Sequence, residues 1–321
     1  VHGIVVKNTG SSYIVKTDDE ELVECKVKGN FRIKGIRTTN PVAVGDGVIV
    51  RDDTKKFSSS HQKEEESFLW ITAIDDRRNY IIRKASNLSK QSHILAANID
   101  QVLLVVTVAR PETTTTFVDR FLASAEAYCV PVILIFNKID DLSEEEHEQM
   151  DYLQLLYEHI GYEVRKISAT EGIGVSELAE LMSGKVTLLA GHSGVGKSTL
   201  INSLIPGVNV RTADISEAHG TGMHTTTFSE LFELPNGGSV IDIPGIKGFG
   251  TFDMEPEEIP HYFREIFEIG KECRFSNCLH THEPGCAVLE ALEQHKIAPS
   301  RYTSYLSMLE DKEEGKYRSG Y

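Results

Sequence analysis

The chain is short of cysteine and of long apolar runs, and each shortage excludes something. Five cysteines in 321 residues are too few for a disulfide framework. Three of them crowd between 273 and 286, which reads as a metal site in a reducing compartment. No stretch of about 18 apolar residues occurs, so no membrane-spanning helix is expected. Residues 1–7 lack the order of a secretory leader, and a cytoplasmic location is expected.

Positive charge is scarce too. The net charge of −15 argues at first against a polyanionic partner, but the deficit is uneven. Residues 1–94 carry 16 Lys and Arg against 13 Asp and Glu, whereas the remainder carries 17 against 35. A polyanion would therefore meet the first part of the chain. The length exceeds one small core, so two or three domains are expected.

Residues 1–74 contain five short apolar or β-branched runs, at 3–6, 13–17, 22–27, 48–51 and 68–74, separated by turn residues. Five strands in that length fit a small barrel of oligonucleotide-binding (OB) type. Lys26, Lys28, Arg32, Lys34 and Arg37 form an acid-free basic run around Phe31. Cations interleaved with an aromatic suit single-stranded or loop RNA. The polar stretch 52–66 reads as a loop within the barrel, and 75–94 as a basic linker.

From about 95 the pattern changes. Strand-like runs at 102–108, 132–136, 162–167 and 186–190 alternate with helical ones at 117–128, 144–159 and 175–182. This alternation predicts a doubly wound α/β sheet. After the run at 186–190 stands Gly191-His192-Ser193-Gly194-Val195-Gly196-Lys197-Ser198-Thr199, followed by a helical run at 200–204. It fits the phosphate-loop pattern G-x-x-x-x-G-K-[ST] in its strand–loop–helix setting. Its backbone N–H groups and helix N-terminus would cradle phosphate oxygens. Lys197 would reach the β- and γ-phosphates, and Ser198 would ligate Mg²⁺.

Other signals fall at strand ends. Asn137-Lys138-Ile139-Asp140 follows the run at 132–136, and Ser168-Ala169 follows that at 162–167. In GTPases N-K-x-D reads guanine, because the Asp carboxylate accepts from N1–H and from the 2-amino group, the Asn and Lys brace the site, and the Ser-Ala backbone N–H meets the base O6. Adenine offers no such edge, which argues against an ATP-using enzyme. Residues 214–227 read as a switch segment in which Thr226, or alternatively Thr225, would complete the Mg²⁺ shell. Asp242-Ile243-Pro244-Gly245 ends a further strand. There Asp242 would orient Mg²⁺ through a water, and the Gly245 N–H would sense the γ-phosphate. Ile246 follows where a water-orienting Gln would stand, so His224 is the candidate catalytic residue. The guanine-reading motifs precede the phosphate loop, the reverse of the ordinary order, so the GTPase domain is circularly permuted over 95–253.

The last domain, 254–321, centres on Cys273, Cys278, His280 and Cys286, a closed ligand set for one structural Zn²⁺. His282 is an alternative to His280. Helices are expected at 257–269, 287–295 and 302–309, and Cys25 and Cys129 read as plain core residues.

Together these motifs, in this order, resemble the RsgA (YjeQ/YloQ) family over essentially the whole chain. The resemblance implies an OB-type barrel, a permuted GTPase and a mainly helical zinc domain. It also implies a GTP hydrolase that binds the small ribosomal subunit and its rRNA, assists late maturation, and is stimulated by that subunit. The residues alone support less: a guanine-nucleotide switch with an RNA-binding module, or a GTP-regulated RNA-binding scaffold with little turnover. A monomer is the default, and no membrane partner is expected.

Overall fold

The computed structural model describes residues 1–27, 41–52, 69–84, 92–210, 229–243 and 254–317. Five strands open the chain: β1 (His2–Asn8), β2 (Tyr13–Thr17), β3 (Leu22–Val27), β4 (Gly47–Asp52) and β5 (Leu69–Ile74). They pair in the closed order β1-β2-β3-β5-β4-β1. Alternation drives the closure: Tyr13, Val15 and Thr17 of β2 point inward, and the residues between them are half-buried. Val5, Val15, Cys25, Val48 and Ile71 fill the interior with no exposed surface. Gly3 allows β1 and β2 to touch, since a Cβ there would lie 2.5 Å from the Lys16 carbonyl oxygen.

Of residues 75–94, expected to be a basic linker, the described ones pack with the barrel, beginning with the Asp75 N–H, which donates to the Gly47 carbonyl at 2.9 Å. β6 (Tyr80–Lys84) and β7 (Ser92–Ala97) form an antiparallel hairpin. The basic residues ahead of it are spent on intramolecular bonds. Arg77 forks onto the buried Asp46 carboxylate with two 2.6 Å hydrogen bonds. Arg78 pairs with Asp100 at 2.7 Å.

The next elements are β8 (Gln101–Val106), α1 (Thr115–Ala127), β9 (Val132–Phe136), α2 (Glu144–Ile160), β10 (Glu163–Lys166), α3 (Val175–Met182), β11 (Val186–Ala190), α4 (Lys197–Leu204), β12 (Glu230–Glu233) and β13 (Ser239–Asp242). The sheet order is β10-β9-β8-β11-β13-β12, parallel except for β12. β8 and β9 are buried at every position, as central parallel strands are. Leu104 and Leu134 face α1 and α2 on one side. Leu103 and Ile133 face α3 and α4 on the other. The sheet is therefore doubly wound.

β12 was not foreseen. Its four residues are too few to declare a period, and its role is tertiary. It pairs with β13 on one side and with β1 of the barrel on the other, at Lys7 and Glu230. Barrel and doubly wound sheet thus form one continuous eleven-stranded sheet.

The last region holds a 3₁₀ turn (Ile259–Tyr262), α5 (Arg264–Gly270), α6 (Ala287–Glu293) and α7 (Pro299–Tyr317). The single helix expected over 257–269 is broken at Phe263, whose φ of −106° and ψ of 100° are extended. Pro260 lies in the turn before it and has no N–H for a continuing ladder. α7 is longer than expected and starts with Pro299, whose fixed φ suits a first turn. Cys25 is a core residue, but Cys129 is exposed. It takes φ +54° where the chain reverses between α1 and β9.

A buried polar cluster docks this region on α1. Asp119, fully buried, accepts from Tyr157 Oη at 2.9 Å, Ser304 Oγ at 2.6 Å and Arg301 Nη1 at 2.9 Å. Arg301 also forks onto Glu265. Nearby, Arg264 bonds Glu126 and the Gly161 carbonyl and lies 4.0 Å from the Tyr162 ring centroid.

Candidate nucleotide site and metal centre

The chain leaves β8 toward β9 and β10 on one side of the sheet, and leaves β11 toward β13 on the other. The crevice at the carboxyl ends of β8 and β11 is thus a topological switch point, where such sheets bind ligands. The loop 191–196 fills it. Gly191 and Gly196 have φ of +140° and +97°, and both are crowded. A Cβ on Gly191 would lie 2.3 Å from the Val105 carbonyl oxygen. One on Gly196 would lie 2.4 Å from Asn137 Nδ2.

That second contact joins two motifs 59 positions apart. Asn137 is buried, donates to the Val195 carbonyl at 2.8 Å and accepts from the Ala169 N–H at 3.0 Å. One side chain therefore ties the base-reading turn to the phosphate loop and to Ser168-Ala169. It also takes up the Ala169 N–H, an amide of the pair expected to meet the base. Ser168 is buried and accepts from the Glu171 N–H at 3.0 Å, which shapes that turn. Lys138 is left-handed at φ +64°, and Asp140 is exposed in the 3₁₀ turn Ile139–Asp141.

Lys197 opens α4 and bonds the Gly191 and His192 carbonyls at 2.7 and 2.9 Å. Burial pushes its ammonium below the usual lysine value, and the Asp242 carboxylate opposes that shift. Asp242, at the end of β13, is raised by burial, with Lys197 opposing. Its Oδ1 is buried with no hydrogen-bond partner among the described residues. An unsatisfied buried carboxylate oxygen within electrostatic reach of Lys197 is the donor chemistry a hard cation such as Mg²⁺ requires. Ser193, Gly194, Val195 and Thr199 occupy the loop and the first turn of α4 as expected. Thr225, Thr226, His224 and Gly245 lie outside the described residues. So do Lys28, Phe31, Arg32, Lys34 and Arg37, together with residues 53–66 of the expected barrel loop. Lys26 lies half-buried on β3, in register with Trp70 of β5.

Two residues that no motif marks also reach the loop. Thr113 Oγ1 is 2.6 Å from His192 Nε2. The Phe117 ring meets the His192 ring edge-on, with centroids 5.6 Å apart. Thr113 lies just ahead of α1 and Phe117 in its first turn, and neither has a sequence pattern to signal proximity to residue 192.

In the last region the ligand atoms of Cys273, Cys278, His280 and Cys286 all lie within 4.8 Å of one another. The Cys273 and Cys286 sulfurs are 3.9 Å apart, and His280 Nδ1 is 3.5 and 3.4 Å from them. Zinc–sulfur bonds of about 2.3 Å in a tetrahedron put sulfurs roughly 3.8 Å apart, so the four residues fit Zn²⁺. His282 is exposed and faces Thr281 Oγ1 at 2.9 Å, outside the cluster. Glu283 braces the turn by accepting from the Leu279, Thr281 and His282 N–H groups. Burial alone would raise its carboxyl, but these bonds win and hold it at about 2. Tyr302 and Tyr305 of α7 donate to the His280 and Leu279 carbonyls at 2.7 and 2.5 Å.

Comparison with known proteins agrees with this architecture. The model of the RsgA GTPase family matches residues 74–252, and that of the RsgA N-terminal domain matches residues 2–58. A protein of Bacteroides fragilis named small ribosomal subunit biogenesis GTPase RsgA is 63% identical over 319 residues, 99% of both chains. One of Porphyromonas gingivalis with that name is 56% identical, again over 99% of both chains. Among solved structures, YjeQ of Thermotoga maritima is 35% identical with a TM-score of 0.72, covering 97% of each chain. YloQ, described as a circularly permuted GTPase, is 26% identical with a TM-score of 0.69, covering 98% of this chain and 95% of its own.

Proposed function

From a chain that belongs to the RsgA family of GTPases, we propose a GTP hydrolase of small-ribosomal-subunit maturation whose turnover is stimulated by the subunit. The observation that carries the reading is Asn137, which holds the base-reading turn and the phosphate loop together in one site. Asp140 accepts from the guanine N1–H and 2-amino groups. The loop N–H groups and Lys197 hold the phosphates. Bound Mg²⁺ neutralises charge that develops on the phosphate oxygens. Ser198 and Thr226 are its proposed ligands, and Asp242 holds a water of its shell. The unpartnered Oδ1 of Asp242 supports that assignment.

Ile246 has no group to bond water, so the free enzyme turns over slowly. His224 positions the attacking water once the subunit has engaged, and the Gly245 N–H meets the γ-phosphate. The barrel grips rRNA through Lys26, Lys28, Arg32, Lys34 and Arg37, with Phe31 stacking on a base. Zn²⁺ in the Cys273–Cys278–His280–Cys286 cluster is structural, since no ligand position stays open. The protein acts as a cytoplasmic monomer. Among the described residues no helix is long and apolar enough to cross a membrane.

The test is phosphate release from GTP, with and without purified small subunits, and with ATP as competitor. Stimulation by subunits and indifference to ATP are expected. Equal competition by ATP would remove the guanine assignment, and unchanged turnover on subunits would remove the stimulation.

A further inference from the structure

The segment 107–113, between β8 and α1, touches both halves of the nucleotide site. On one flank Arg110 spreads its guanidinium over the base-reading turn. Nε donates to Asp141 Oδ2 at 2.8 Å, and Nη1 and Nη2 fork onto Glu146 Oε1 and Oε2, each at 2.8 Å. Nη2 also donates to the Asp141 carbonyl. The Arg110 carbonyl in turn accepts from Lys138 Nζ at 2.6 Å. Asp140 lies between Lys138 and Asp141, so the turn is held by one residue on both sides of the base reader. A single exposed ion pair contributes little. A planar fork that closes on a carboxylate pair and a backbone carbonyl instead fixes direction.

On the other flank the same segment holds the phosphate loop. Pro111 packs against Gly194, where an added Cβ would lie 3.3 Å from its ring carbons. Thr113 Oγ1 accepts from the Thr107 N–H at 3.1 Å and sits 2.6 Å from His192 Nε2. His192 Nδ1 is 3.0 Å from the Ser193 carbonyl, which can only accept. Nδ1 therefore donates to that carbonyl, and in the neutral ring Nε2 accepts from the Thr113 hydroxyl. Thr107 Oγ1 closes the turn on the Pro111 carbonyl at 2.5 Å.

We propose that segment 107–113 is a two-sided brace of the nucleotide site. Arg110 is the positioning residue that aims Asp140 at guanine, and Thr113 is the one that sets the phosphate loop through His192. The proposal rests on the reading of Asp140 as the guanine acceptor. It predicts that base discrimination and phosphate binding fail separately, which general loosening of the fold would not produce.

The experiment is calorimetric titration of the full chain with GDP, IDP (which lacks the 2-amino group) and GMP. Arg110→Ala should lower the IDP-to-GDP ratio of dissociation constants by about tenfold, the worth of a misaimed hydrogen bond to a charged group. The GMP-to-GDP ratio should stay unchanged. Arg110→Lys, which keeps the charge without the fork, should recover only part of the loss. Thr113→Val should weaken GDP and IDP alike by about tenfold and narrow the GMP-to-GDP ratio, and Thr113→Ser should restore both. An unchanged IDP-to-GDP ratio in Arg110→Ala, or both ratios falling together in either variant, overturns the brace. Equal binding of GDP and IDP by the unsubstituted protein would instead show that Asp140 does not read the 2-amino group. That result fails the guanine reading, and the brace with it, before any substitution is made.

Discussion

The cysteine–histidine cluster and the nucleotide site solve the same problem, holding several side chains at one point, by opposite routes. The four residues of the metal-binding cluster come from 14 consecutive positions, 273 to 286. Glu283 and two tyrosines hold the knuckle around them. The nucleotide site draws on the ends of β8, β9, β10, β11 and β13, from Thr107 to Asp242, and is held by hydrogen bonds between loops. A local site brings its donor atoms together through one short segment, so metal binding and the folding of that segment are linked. A site at sheet ends inherits its rigidity from the core beneath, so its parts can be altered one at a time. The substitutions below press on that contrast, in order of falling effect.

Cys278→Ser should release zinc and unfold residues after about 254, since structural zinc supplies on the order of 10 kcal/mol of folding free energy. GTP binding should largely survive. Elemental analysis with limited proteolysis checks this, and loss of GTP binding in step with zinc would erase the contrast.

Asp119→Ala should rank second. It removes a shared acceptor from three buried donors and leaves Arg301 with Glu265 alone, and removing one member of a buried ion pair costs about 3 kcal/mol. Calorimetry should show the last region melting earlier with zinc still bound. An unaltered transition would mean that the docking on α1 is carried by the apolar contacts.

His224→Ala should reduce single-turnover hydrolysis on saturating small subunits by about 10²-fold, within the range of a positioned acid–base group. Affinity for GTP and for subunits should change little. Near-normal turnover would pass the role to another residue or to the ribosome.

The smallest effect is a change of preference. Asp140→Asn places a donor where the carboxylate accepted, so xanthosine triphosphate should gain on GTP by at least about tenfold with the phosphate contacts intact. Competition binding with both nucleotides measures it. Equal losses for both would mean that the residue shapes the turn without reading the base.

Legibility in the sequence followed the same divide. The phosphate loop and the zinc ligands are contiguous or nearly so, and their spacing is their geometry. The strands of the doubly wound sheet announced themselves because β9 is apolar throughout and β8 is apolar after Gln101. The elements that were missed or misjudged are those whose reason lies elsewhere in the chain. β12 is a strand because β1 and β13 flank it. The basic stretch after β5 is tied down because Asp46 and Asp100 wait for Arg77 and Arg78. The helix expected over 257–269 breaks at Phe263, where the chain turns its ring into the last core.

By itself, the sequence determined the three-part architecture, the permuted order of the guanine and phosphate motifs, and the metal-ligand set. Each of these is written in short-range spacing or periodicity. Tertiary structure decided how the parts are joined: the barrel through β12, the base reader to the phosphate loop through Asn137, and the zinc domain to α1 through Asp119 and Arg301. The last two junctions are polar side chains that meet partners up to 185 positions away. A hydrogen bond across such a separation leaves no local pattern, because its geometry exists only once both cores have packed.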